Sequence, residues 1–335
     1  MRSLLIAIVT LLFGTSLCPG HALAATRHLF KVATLAPEGS VWVNQFTKFA
    51  QEVSDKTGGE VTFRIYPGGI MGDDQAMYRK MRAGQLQGGG FTMTGIAPVV
   101  PDFRIMSIPF TFTTYAEVDA VSRGLLPLFK QQFARQGLEF VAMTEVGFIY
   151  TMSTRPRATI ADLETAKIWA PAGDPLAATF LGELGHSPIQ LSIPDVLSSL
   201  STGLIDTVFN SLYGSIVLQW FTKAKYVTDT PFGYAYGVFL LDGKKFARLP
   251  SRYATIVHET ADTYFPALID TTRRSNDESH QVLQQQGVAF VAADPVSLQE
   301  LEKLRQKTVD ATIGTAYSAE IYHKMMEILA TQRKN

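Results

Sequence analysis

The sequence predicts an α/β protein built of two similar lobes with a helical tail. Three observations carry that prediction. Strand and helix patterns alternate from about residue 28, the alternation resumes after about residue 138, and the last stretch keeps helical spacing. The chain of 335 residues has room for two domains or one large one.

The first lobe opens with "HLFKVATL" (28–35), which reads as a strand. Ser40 then stands where a helix cap belongs, ahead of Val43, Phe46, Phe49, Ala50 and Val53 at helical spacing. "TGG" at 57–59 ends that helix, and "EVTFRIY" (60–66) alternates with Val61, Phe63 and Ile65 on one face. "PGG" turns the chain into the helix "DDQAMYRKMRAG" (73–84), whose paired acids Asp73 and Asp74 suit a helix N-terminus. A further strand begins near "FTMTG" (91–95), and the glycines of "QGGGF" (87–91) read as space left beside it. This β-α-β-α-β order argues a parallel sheet with covering helices.

In the second half, "LEFVAMTEVG" and "FIYTMST" read as two strands, "IADLE" as a helical turn and "KIWAP" as a strand. Helices follow at 175–185 and 195–203, each stopped by glycine, then a strand at 204–211 and two more within 225–242. Residues 251–287 read as one long helix, interrupted or bent near Pro266, and residues 297–331 keep helical spacing with polar faces.

The N-terminus reads as a secretory signal over residues 1–25: Arg2, the apolar run "LLIAIVTLLFG", and small residues ending in "ALAA" at 22–25. The only cysteine, Cys18, falls within it, so the expected mature chain has no disulfide and no thiol chemistry. Export without disulfides points to a bacterial periplasm. Thirty basic and thirty acidic residues leave zero formal charge without single-sign runs, which argues against nucleic acid and polybasic membrane binding. No later run approaches membrane length, so no membrane insertion of the mature chain is expected.

No catalytic constellation emerges. There is no G-x-S-x-G, Walker loop or G-x-G-x-x-G, and "HETAD" (258–262) lacks the second histidine of a zinc protease helix. The sequence therefore predicts no enzyme, metal or cofactor. The informative residues are aromatic. "KIWAPAGDP" (167–175) ends a strand and starts a helix, with Asp174 as cap and Pro175 at the first helical position. Ligands of open α/β sheets sit at such strand ends, and Trp169, Phe209 and Asn210 end strands there.

"YPGGIMGDD", "IPF", "STRPRATIADLETAKIWAPAG", "LGELGHSPIQLSIPDVLSSLSTGLIDTVFNS" and "KAKYVTDTPF" occur in the order found in the solute-binding subunits of TRAP transporters. The chain resembles this DctP-like family from about residue 28 to 290. The resemblance implies a two-lobed periplasmic binding protein fold, type II-like, with crossing strands and a long helix between the lobes. By that resemblance lobe one takes residues 27–146 plus 235–274, and lobe two 147–234 plus 275–335. It also implies a small-molecule ligand and a membrane permease as partners, with ligand sensing on the same fold as an alternative use.

The family commonly holds a carboxylate with an arginine in the motif that here reads "KIWAP", where Trp169 stands. A second arginine, after the glycine matching Gly147, is absent from "GFIY". The asparagine of the later strand is kept as Asn210, and an aromatic position ahead of "PDVL" is Ile193. A buried carboxylate without a cation costs several kcal/mol. An indole offers one N–H and a face whose burial is worth roughly 4–6 kcal/mol. The expectation is therefore an apolar or uncharged ligand held by Trp169, Asn210, Phe209, Tyr213, Ile193, Phe232 and Tyr234. The alternative is an organic acid anchored by a relocated cation such as Arg104 or Arg155.

Overall fold

The computed structural model describes residues 28–334. The segment read as a signal lies outside them. Ten strands run β1 His28–Thr34, β2 Val61–Tyr66, β3 Gly88–Thr92, β4 Leu138–Ser153, β5 Trp169–Pro171, β6 Ile189–Leu191, β7 Thr207–Asn210, β8 Tyr226–Thr228, β9 Gly233–Asp242 and β10 Ala289–Val291. The main sheet has the order β10-β8-β4-β9-β3-β1-β2, with β7 also on β4, while β5 and β6 pair apart.

β1 pairs parallel with β2 and β3, as the alternating pattern predicts. The pairings made by β4 and β9 are antiparallel, so the sheet is mixed. β4 is one strand of 16 residues where the sequence suggests two. Gly147, which looks like a break, instead forms a bulge against β9 with φ at +111°. A β-carbon there would lie 2.6 Å from the Asn276 amide nitrogen. The glycines of β3 leave space as expected: a β-carbon on Gly88 would meet Leu241 at 2.5 Å and the Leu240 carbonyl at 2.8 Å.

The local signals behave as capping chemistry requires. Ser40 Oγ accepts from Val43 N at the head of the helix Val41–Lys56, and Asp73 accepts from Ala76 N at 2.8 Å. β1, β2 and β3 are packed on both faces. One face buries Phe103, Phe129 and Phe133 with Tyr236 and Leu240; the other buries Phe49, Val53, Phe239 and Phe265. At the far end of β4, Met152, Val208 and Val227 form a second core with Trp169 and Trp220.

Three elements run between these two lobes: β4, β9 and the helix Ser251–Gln285, which contains Pro266 without interruption. That helix packs on Val41–Lys56 near its start and buries Leu283 in the second core near its end. The C-terminal path departs from the expectation that residues 275–335 belong to one lobe. The helix Pro295–Thr312 places Leu301 and Leu304 against Phe180 of the second lobe, yet its Val309 joins the core of the first. The helix Ala319–Gln332 packs on Tyr115–Arg135, burying Ile321, Met325 and Leu329 there. Its apolar stripe fits a first-lobe groove that sequence spacing alone could not assign.

Candidate ligand-binding site

The C-terminal ends of β1, β3, β5 and β7 face one another across the crossing strands. Two adjoining chambers lie there, each of about 160 Å³. They share Thr92, Val146, Ile193, Asn210 and Tyr236 as common wall. The first chamber is bounded by Trp42, Phe46, Gly90 and Phe239 from the first lobe and by Gly214 and Leu218 from the second. The second is bounded by Trp169, Asp174, Phe180, Phe209, Trp220 and Phe232 from the second lobe, with Thr94, Ser107 and Pro109 opposite.

Six of the seven residues singled out from the sequence line the second chamber: Trp169, Ile193, Phe209, Asn210, Phe232 and Tyr234. Tyr213 lines neither chamber. Its hydroxyl accepts from Val41 N across the lobes at 2.9 Å, and its ring lies 5.1 Å from that of Trp42. Trp169 is 3% exposed, set edge-on to Trp220 at 5.3 Å. Its indole N–H donates to the Leu191 carbonyl at 3.0 Å, so it offers a ligand its surface but no hydrogen bond. The Tyr234 hydroxyl is also occupied, donating to Glu145 at 2.8 Å. Phe209 and Phe232 pack edge to face at 5.1 Å.

Asn210 keeps a free donor. Its side-chain oxygen accepts from Ser211 N at 2.8 Å, whereas its amide nitrogen has no protein partner among the described residues. Gly214 makes room for it, since a β-carbon there would sit 2.3 Å from the Asn210 oxygen.

One charged residue, Asp174, lines the second chamber, and Arg104 is buried near it. Arg104 is 6% exposed, carried by the short helical segment Pro101–Ser107. Tyr236 holds that segment by donating to the Phe103 carbonyl and accepting from Met106 N at 3.3 Å. The buried Nε of Arg104 has no hydrogen-bond partner. Burial pushes the guanidinium below its usual range, and the nearby Asp174 charge opposes that shift. Asp174 caps the helix Pro175–Glu183, with Oδ1 accepting from Leu176 N at 3.0 Å and Ala177 N at 3.4 Å. Burial pushes its carboxyl above the usual aspartate range, with Arg104 the first opposing influence. Arg155, the other cation considered from the sequence, is exposed.

A buried polar cluster between β4 and the long helix escapes the sequence pattern. Glu145, 1% exposed on β4, accepts from Arg273 at 2.8 Å as well as from Tyr234. Arg273 also binds Asp119 at 2.6 Å and lies 4.3 Å from the Tyr115 ring. Asn276 joins the same region, donating to the Val146 carbonyl and accepting from Tyr213 N. These partners are more than 50 residues apart in sequence, and no local pattern connects them. The one signal was chemical: a glutamate, Glu145, midway along a strand rich in apolar residues.

Among the described residues no cluster of His, Asp and Glu could hold a metal ion, and no helix is long and apolar enough to cross a membrane. Residues 32–324 match the family of bacterial extracellular solute-binding proteins, family 7, or DctP. The chain belongs to this family. It is a bacterial extracellular solute-binding protein. A solute-binding protein of Roseobacter denitrificans is 24% identical over 82% of this chain and 84% of its own length. The sugar acid binding protein of Advenella mimigardefordensis, solved in complex with galactonate, superposes with a TM-score of 0.86 at 17% identity, over 92% of this chain and 99% of its own. A TRAP periplasmic solute binding protein of Desulfovibrio salexigens, with bound orotic acid, gives 0.84 at 19% identity over the same shares. These likenesses establish the DctP fold for this chain, with its mixed sheet and crossing strands.

Proposed function

We propose that this DctP-family protein is the periplasmic receptor of a TRAP-type secondary transporter, exported by a cleaved signal, and that it closes on a small organic acid for delivery to a membrane permease. The observation that carries the acid is Arg104. A guanidinium buried with an unpartnered donor costs several kcal/mol, and a ligand carboxylate offsets that cost. Asn210 offers a second donor from the opposite lobe, on the wall shared by the two chambers. That the two solved relatives hold galactonate and orotic acid supports an acid over the wholly apolar ligand expected from Trp169 alone. The aromatic walls then describe the body of the ligand, which is compact and apolar beside its charged end.

Calorimetry with a panel of compact organic acids tests this reading. We expect binding at micromolar level, reduced at least about 100-fold in Arg104→Met because a buried charge loses its partner. If uncharged apolar compounds bind instead, and Arg104→Met leaves their affinity unchanged, the carboxylate reading is wrong.

A further inference from the structure

The polar side chains on the wall of the first chamber are almost all engaged elsewhere. Trp42 donates its indole N–H to the Glu145 carbonyl at 2.8 Å, and the Glu145 carboxylate accepts from Arg273 and Tyr234. The Tyr236 hydroxyl is held between the Phe103 carbonyl and Met106 N, and that of Thr92 donates to Asp74 at 2.7 Å. The Thr34 hydroxyl accepts from Ala36 N at 3.2 Å. Among the described residues, only the Thr144 hydroxyl and the Asn210 amide nitrogen on this wall have no protein partner. We infer that the first chamber is the subsite for a six-membered aromatic ring. The ligand is then an aryl carboxylic acid, its ring in that chamber and its carboxylate at the common wall beside Asn210. This inference rests on the carboxylate reading above and names the substrate class.

Size, shape and placement each favour a ring. The chamber measures about 160 Å³. An apolar cavity of about 150 Å³ is enough to hold one benzene molecule. Its wall is itself aromatic: Phe46 meets Phe239 edge to face at 4.7 Å, and Phe239 stacks on Phe265 at 5.6 Å. Rings in such a cluster accept another ring in the same offset or edge-on arrangements. Asn210, Val146 and Ile193 border both chambers, so a ring in the first lies next to the free amide donor. A sugar acid fits this wall poorly, because its hydroxyls would be buried against groups already engaged, and each such hydroxyl is costly. A flexible alkyl chain could fill the same space but loses rotamer freedom that a rigid ring never had.

Calorimetry with four probes tests this: 3-phenylpropanoate, propanoate, benzyl alcohol and galactonate. We expect 3-phenylpropanoate to bind, and each of the other three to bind about 30-fold or more weakly. Leu218 borders the first chamber alone and is half-buried, so Leu218→Trp should fill the chamber without unfolding the chain. In that variant, with Tm within a few degrees of the parent, 3-phenylpropanoate should bind about tenfold or more weakly. Phe46→Leu, a smaller change that removes one ring from the wall, should weaken the same probe about threefold or more. Galactonate or propanoate binding as tightly as 3-phenylpropanoate would overturn the ring subsite and leave the carboxylate reading standing. Benzyl alcohol binding as tightly as the acid would instead remove the carboxylate and leave the ring. Affinity for 3-phenylpropanoate unchanged in both variants would overturn the assignment of the ring to this chamber, and binding of none of the four would remove ring and carboxylate together.

Discussion

Single side chains in this protein are legible in place but not in partnership. "KIWAP" places Trp169 at the end of a strand; in the fold it opens β5 instead, and its side chain lines the second chamber. That its N–H is taken by the Leu191 carbonyl depends on a backbone group 22 residues away, which no spacing rule reaches. Arg104 could be noticed as a cation within the apolar stretch "FRIMSIPF", but its unpaired state is a tertiary property. Asp74 teaches the same lesson with a measurable consequence. It looks like a second acid at a helix start; in the fold it is buried and accepts from the Thr92 hydroxyl at 2.7 Å and Thr92 N at 3.2 Å. Burial pushes its carboxyl from 3.8 up to about 7. The folded protein therefore holds a proton that the unfolded chain has released, so this group's contribution makes stability fall as pH rises from about 4 to about 7 and level off above. Asp74→Asn should flatten that slope. The check is the difference in Tm between about pH 5 and about pH 8, expected to shrink by a few degrees in the variant; an unchanged difference would mean Asp74 stays ionised throughout.

At the scale of elements, caps and glycine stops located most helices, because those signals act within four residues. Long-range features were harder. β4 reads as two strands since Gly147 interrupts the pattern, yet the bulge lets one strand pass from the first lobe to the second. The glycine is required twice, by its φ of +111° and by Asn276 lying where a β-carbon would go. Gly147→Ala should therefore displace Asn276 and free the Val146 carbonyl and Tyr213 N that it now satisfies. We expect a loss of more than about 2 kcal/mol in urea denaturation. A loss under about 0.5 kcal/mol would show that the bulge relaxes around the methyl group.

For the whole molecule, the two-lobed α/β class was legible from alternation, and the sheet's mixed character was not, because strand direction at a crossover is decided by tertiary path. Tyr213 ties the lobes together here through Val41 N and Trp42. The sequence suggests it as a ligand contact, and it lines neither chamber. Tyr213→Phe retains the ring and deletes the acceptor, so it should weaken the closed form by about 1 kcal/mol, or about fivefold in affinity. Stopped-flow binding should show the change in dissociation and leave association unaltered. A slower association instead would place Tyr213 in the encounter rather than in the closed state.

The path of the C-terminal helices has a mechanical consequence. The helix Pro295–Thr312 touches both cores, so the chain joins the lobes through four rigid members rather than three. Four such members leave a body little freedom beyond rotation about one axis. Any membrane partner that senses the spacing between the lobes then receives a single coordinate, open or shut, whatever the solute's shape.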